Sequence, residues 1–206
     1  SSFRLPSQSR SSLLRRLAIW DYSARNIEQT KGLMRNPYVS RFGIGYTPEM
    51  TRHVTASQTT DVLFYGSLNS RRTAILSELK RAGLKVRHLF SVYGRERDEA
   101  IADAKIVLNV HFYEDSIHEI VRTSYLLANA KAVVSECGPD TEIDDDIREA
   151  LVAAPYKDIV ESHVALINDE PRRRALELRA FEIFSKRDQA KMLCEAISAT
   201  TLPIFG

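Results

Sequence analysis

The chain is short of the residues that staple or ligate. Its 206 residues include two cysteines, Cys137 and Cys194. Two is too few for a disulfide framework and the pair has no metal-ligand spacing, so a reduced, cytoplasmic protein is expected. His53, His88, His111, His118 and His163 show no metal-ligand spacing either, and no Ser-His-Asp or Cys-His order can be argued. A strong charge of one sign is missing too. The formal net charge is +2, so nothing demands nucleic acid, and Arg15-Arg16, Arg71-Arg72 and Arg172 to Arg174 read most simply as solvated faces. No apolar run approaches the roughly 20 residues of a membrane helix. Gly43 and Gly45 do not make a dinucleotide fingerprint, because the third position is Pro48 and no helix follows at once. The run Asp144-Asp145-Asp146 lacks the calcium-loop spacing and reads as a solvated turn.

What is present is enough apolar residue, 44% of the chain, for one domain with a real core, or one domain plus part of another. The chain is organised around Lys105 to Glu136. Ile106-Val107-Leu108-Asn109-Val110 is a short, β-branched run that predicts a fully buried strand. A polar elbow follows, and then Ile117, Ile120, Val121, Ser124, Leu127 and Ala128 share one face of a helix. Ala132-Val133-Val134 begins a second buried strand. Strand, loop, helix, strand is the unit of a parallel sheet, in which ligands sit beyond the carboxyl ends of the strands. The loop with His111, Tyr113, Glu114 and Glu119 is therefore where function is expected.

Upstream, residues 1 to 12 carry no periodicity. The first twenty residues have Ser, Arg and Leu but no acid, which fits either a transit peptide or a boundary inside a longer protein. Ser23 is placed to cap a helix over Ala24 to Met34, stopped by Asn36-Pro37. A strand from Tyr38 to Ile44 and a polar, linker-like stretch from His53 to Thr60 come next. From Asp61 the pattern is regular. A strand at Val62 to Tyr65 leads through Gly66-Ser67-Leu68-Asn69 into a helix over Ser70 to Ala82 with Ile75, Leu79 and Ala82 inward, closed by Gly83. A strand over Leu84 to Phe90 and a charged helix over Arg95 to Ala104 follow. Beyond Glu136 the pattern gives a short strand at Ala150 to Ala154 and helices over Tyr156 to Ile167, Pro171 to Ser185 and Asp188 to Ile197. The helix from Pro171 is expected to bury Leu176, Ala180, Phe181 and Phe184. The whole predicts an α/β fold: an open parallel sheet with helices on both faces.

Three features carry candidate chemistry. Gly66 at a strand end lets backbone N–H groups approach a ligand at a helix start. Arg71 and Arg72 sit in that helix's first turn, against its dipole, and make better sense beside an anion such as phosphate. Glu119 has two readings. With Ser116 it fits a capping box, and alternatively it accepts hydrogen bonds from ligand hydroxyls. Arg122, one turn later, is placed to pair with Glu119 or with a phosphate, and His111 at the end of the central strand is a candidate acid/base group.

With these pieces laid out, the chain resembles the C-terminal half of a GT-B glycosyltransferase of the group-one type, which includes spore-coat-like and surface-polysaccharide enzymes. The resemblance runs from about Asp21 to Ile197. It is carried by WDYSARNIE (Trp20 to Glu28), FGIGYTPEM (Phe42 to Met50), DVLFYGSLNSRR (Asp61 to Arg72), VYGRERDEAIADAKIVLNVH (Val92 to His111) and the central stretch. It implies a Rossmann-like domain over 60–206 that binds a nucleotide-diphosphate sugar as donor substrate, with no metal and no other cofactor. Residues 1–59 would be the end of a preceding acceptor domain and the interdomain linker. The implied contacts are Gly66, Ser67, Arg71 and Arg72 near the diphosphate, Tyr93 and Gly94 near the base, and Glu119 with Arg122 at ribose or phosphates. The implied catalytic set is Glu119, Arg122 and His111, and the implied partners are the nucleotide sugar and a glycan or other acceptor in surface polysaccharide or glycoconjugate synthesis. Many retaining members carry two glutamates eight positions apart. Here Arg122 stands eight after Glu114, and Tyr125 stands where the second glutamate falls, so the anomeric outcome stays open. Most of an acceptor domain is missing, so the chain is a fragment or a reduced protein, and alone it is expected to lack a full active site. The competing reading is a non-catalytic α/β module that joins a partner supplying the missing domain.

Overall fold

A computed structural model describes residues 17–200 apart from Pro37, His53, Thr55 and 114–116. The sequence readings for residues 1–16, Glu114 and Ser116 lie outside the described residues. The chain divides into two compact units, one of 1–45 with 187–206 and one of 46–186. The C-terminal helix belongs to the first unit.

The first unit is a small β-α-β. Strand β1 (Ile19–Asp21) and strand β2 (Val39–Arg41) pair in parallel, and helix α1 (Ala24–Met34) links them. The expected cap is in place, with Ser23 Oγ accepting from the Asn26 N–H at 3.1 Å. The strand expected over Tyr38 to Ile44 shrinks to three residues. Helix α8 (Gln189–Ala199) joins this unit through Gln189 Oε1, which accepts from the Gly45 N–H at 2.6 Å, and through the Trp20 indole, which donates to Thr200 Oγ1 at 2.8 Å.

The second unit is the sheet that the sequence predicts. Its elements are β3 (Thr60–Tyr65), α2 (Ser70–Arg81), β4 (Val86–Leu89), α3 (Gly94–Asp103), β5 (Ala104–Asn109), α4 (Ile120–Ala128), β6 (Ala132–Glu136), α5 (Asp145–Glu149), β7 (Val152–Ala154), α6 (Ile159–Asn168) and α7 (Glu170–Ser185). The five strands run parallel in the order β4-β3-β5-β6-β7. Alternation sorts the side chains. Val62, Phe64, Ile106, Leu108, Val110, Ala132 and Val134 share one core with Ile75, Leu76 and Leu79 of α2 and Ile159 and Leu166 of α6. The intervening Leu63, Val107 and Val133 are as completely buried and point to the opposite face, so both faces are covered. Each of the Val, Leu, Ile and Phe side chains contributes about 1.5–3 kcal/mol by leaving water.

Several details differ from the pattern reading. Helix α4 starts at Ile120 rather than Ile117, and Val121, expected inward, is 62% exposed. Ala82 is exposed past the end of α2, and Leu176 and Phe181 are half-buried while Ala180 and Phe184 are fully buried. A 3-10 turn at Tyr156–Asp158 precedes α6 in place of one continuous helix.

Candidate functional site

The strand order places the chain's topological switch between β3 and β5: the connection from β3 leads out to β4, and the next leads back across to β5. In open α/β sheets the crevice outside the carboxyl ends of those two strands is where ligands bind. At that point β3 delivers Tyr65 and Gly66, β5 delivers Asn109 followed by Val110 and His111, and α4 begins just above with Glu119 as its N-cap residue.

Arg72 holds the two strand ends together. Although it belongs to the first turn of α2, it is only 3% exposed. Its Nε and Nη2 donate to the Val110 carbonyl at 3.0 and 2.8 Å, and Nη1 donates to the Ser67 carbonyl at 3.0 Å. The Phe64 and Phe112 rings flank the guanidinium, each at 5.2 Å. A planar fork with five donors suits this role, and a lysine could not fill it. Asn69 completes the turn. Its Oδ1 accepts from the Arg72 N–H at 2.9 Å, and its Nδ2 donates to the Phe112 carbonyl at 2.6 Å.

Arg71, its neighbour in sequence, points elsewhere. It makes a two-point ion pair with Glu136 at the end of β6, donates to the His111 carbonyl at 3.3 Å and lies over the Tyr156 ring at 3.9 Å. Glu136 also accepts from the His111 N–H at 2.9 Å. The carboxyl ends of β5 and β6 are thus tied by one buried carboxylate that sequence reasoning did not single out. Its only signal is a charge closing a fully buried strand.

Glu119 is the N-cap residue of α4 and makes no cap hydrogen bond with its side chain, while Ser116, the other half of the capping-box reading, lies outside the described residues. Its carboxylate instead spans two guanidinium groups, with Oε1 3.2 Å from Arg72 Nη2 and Oε2 3.0 Å from Arg122 Nη2. Arg122 also reaches Asn109 Oδ1 at 3.4 Å and lies 5.2 Å over the Tyr65 ring. Burial raises the Tyr65 phenol to about 12, so the ring stays neutral. Gly66 has φ +137°, and a Cβ there would stand 3.3 Å from Arg122 Nη2 and 3.7 Å from Arg72 Nη1. The turn at Gly66 and the start of the Glu119 helix therefore meet at one place.

Burial also lowers the His111 imidazole, and its Nε2 has no hydrogen-bond partner among the described residues. His118 is structural. It contacts Thr123 Oγ1 at 2.9 Å and Ser135 Oγ at 3.4 Å, and burial depresses it to about 4. Gly66, Ser67, Arg71, Arg72, His111, Glu119 and Arg122 are thus gathered at one edge. Tyr93 and Gly94 follow β4 at the same edge, with Tyr93 77% exposed and Gly94 opening α3 at φ +59°. No described contact joins that pair to the cluster. Among the described residues no group of three or more His, Cys, Asp or Glu could hold a metal, and no helix is long and apolar enough to cross a membrane.

No family model matches the chain. Among curated proteins it is similar to two uncharacterized proteins of Acanthamoeba polyphaga mimivirus. It is 36% identical to L138 over 103 residues, 48% of this chain and 12% of that protein. It is 27% identical to L140 over 164 residues, 76% of this chain and 53% of that protein. Among solved structures, TarM superposes at a TM-score of 0.67 with 11% identity, over 96% of this chain and 47% of TarM. HepE of Anabaena in complex with UDP-glucose gives 0.63 with 12% identity, over 94% and 67%. WaaG, a glycosyltransferase involved in lipopolysaccharide biosynthesis, gives 0.63 with 12% identity, over 89% and 62%. The chain thus spans about an eighth and about half of the two mimivirus proteins and about half of TarM.

Proposed function

The chain has the GT-B glycosyltransferase fold, and from that premise we propose that its carboxyl edge holds the diphosphate of a nucleotide-activated sugar and serves transfer of the sugar to an acceptor, in surface polysaccharide or glycoconjugate synthesis. One observation carries the reading: Arg72 and Arg122 converge on a single carboxylate above Gly66, at the switch point of the sheet. HepE, of like fold, has been solved with UDP-glucose.

In the transfer, the bond from the sugar's anomeric carbon to the diphosphate breaks, a bond to an acceptor oxygen forms, and the acceptor hydroxyl loses its proton. The leaving diphosphate gains charge as the bond breaks. Positive groups fixed in advance at that point stabilise the transition state more than the ground state. Arg122 and Arg72 are the phosphate contacts, and the position of Arg72 is fixed by Val110 and Ser67. Arg71 acts through Glu136 to hold His111. Two guanidinium groups supply the charge compensation, so the transfer is assigned as metal-independent. Glu119 orients ribose or sugar hydroxyls, and His111, neutral at pH 7 because burial lowers it, is the proton acceptor. Tyr93 and Gly94 are assigned to the base.

Calorimetric titration with UDP, GDP and UDP-glucose tests the reading. Binding at millimolar concentration or tighter is expected, with Arg122→Ala abolishing it. A folded chain that binds none of the three overturns it. Release of free sugar from bound UDP-glucose separates a transferase from a donor-binding module without turnover.

A further inference from the structure

Resting on the donor-site reading above, we infer that Glu119 is a resident counter-anion. Its carboxylate occupies the seat between Arg72 and Arg122 that a diphosphate takes, and donor binding displaces it. The two oxygens are divided between two guanidinium groups at 3.2 and 3.0 Å, as the oxygens of adjacent phosphoryl groups would be. Of the three side chains, Glu119 is the one able to leave. Arg72 is fixed by the Val110 and Ser67 carbonyls, and Arg122 is held over Tyr65 and against Gly66. The Glu119 side chain is 30% exposed and makes no cap hydrogen bond to its own helix.

The carboxylate has a physical task when no donor is present. Two guanidinium groups facing one point repel each other, and an intervening negative charge turns that repulsion into two attractions. A ligand that takes the seat must first break those attractions, so the observed affinity is lowered by the fraction of molecules in which the seat is open. Once displaced, the carboxylate stands at the start of α4, where it can accept hydrogen bonds from ligand hydroxyls. The device therefore penalises bare phosphates and returns part of the cost to a ligand that also carries a ribose.

The test is calorimetric titration with inorganic diphosphate and with UDP, in chloride buffer of fixed ionic strength, on the wild-type chain, Glu119→Gln and Arg122→Gln. Far-UV circular dichroism and thermal melting confirm that each variant folds. Glu119→Gln is expected to bind inorganic diphosphate on the order of tenfold more tightly, about 1.4 kcal/mol. It should gain less with UDP, so the preference for UDP over inorganic diphosphate falls, and Arg122→Gln should weaken both ligands. If the wild type binds UDP and Glu119→Gln shows no gain for inorganic diphosphate, the resident role is overturned and the donor site stands. If UDP binds no folded form, both readings fall together. Glu119→Asp, one methylene too short to span both guanidinium groups, serves if Glu119→Gln does not fold and is expected to show a smaller gain of the same sign.

Discussion

The two edges of the sheet in the larger unit make opposite uses of charge. At the amino edge a hollow of about 280 Å³ is lined by Arg52, Gln58, Asp98, Tyr125 and Lys131 among others. Its charged groups are turned on neighbouring side chains and on the backbone, while Gln58 Oε1 is buried with no hydrogen-bond partner among the described residues. Tyr125 donates to Asp98 at 2.6 Å, Asn129 accepts from the Arg52 N–H at 2.6 Å and donates to the Met50 carbonyl at 2.9 Å, and the Lys131 ammonium is held by the Ala102 and Ala104 carbonyls. At the carboxyl edge two guanidinium groups share one carboxylate at a point that strand topology leaves open. A hollow whose charged groups are held by internal hydrogen bonds is architecture, whereas like charges gathered around one removable counter-charge call for an anion. The comparison predicts that ligand binding is sensitive to changes at one edge and indifferent to changes at the other.

The largest effect is expected from Arg72→Leu. The substitution leaves the buried Val110 and Ser67 carbonyls without their donor and removes one of the two partners of Glu119. Losing one side of a buried charged contact costs about 3–5 kcal/mol, so urea unfolding should show an unfolding free energy lowered by that amount, together with loss of UDP binding. A variant as stable as the wild type would mean that the strand ends do not depend on this guanidinium, and the contrast between the edges would weaken at its strongest point.

Gly66→Ala should act on the same edge with a smaller stability cost. The φ of +137° is a conformation that side chains rarely adopt, and the added methyl would stand 3.3 Å from Arg122 Nη2. Strain of about 1–3 kcal/mol is expected, and because Arg122 must shift, UDP binding should weaken even in the fraction that stays folded. Titration below the melting temperature separates the two effects. Unchanged UDP affinity would remove Gly66 from the site.

How far these features could be read from the sequence depends on whether their causes are local. Ser23 caps α1 and the strand at Ile106 is buried because both follow from neighbouring residues. The spacing of Ser116 and Glu119 fits a capping box just as well, yet Glu119 turns to Arg72, 47 residues away in the chain. An ion pair between the first turn of α2 and the start of α4 joins distant parts of the chain, and no short-range pattern announces it. Arg71 and Arg72 look like one basic pair, but adjacent positions on a helix do not face the same way, so one reaches Glu136 on β6 and the other Val110 after β5. Glu136 escaped notice because its partners come from α2 and the end of β5. The register that brings them together exists only once the sheet is built.

The smallest effect, and the control for the comparison, is expected from Lys131→Met at the amino edge. The two edges belong to different ends of the sheet and share no described hydrogen bond, so UDP affinity should stay within about twofold of wild type. The variant should still leave a signature of its own. Burial pushes the Lys131 ammonium down to about 8, whereas a free lysine titrates near 10.4. Between those values the unfolded chain binds the proton and the folded chain does not, so wild-type stability rises with pH across that window and is lost again as pH falls towards 8. The rise is on the order of 3 kcal/mol, and chemical denaturation at pH 8 and pH 10 should detect much of it. Lys131→Met has no such proton to release and should show a flatter profile. If the profile flattens while UDP affinity holds, the amino edge is structural. If UDP affinity falls tenfold instead, charge at the amino edge reaches the ligand and the two edges work as one.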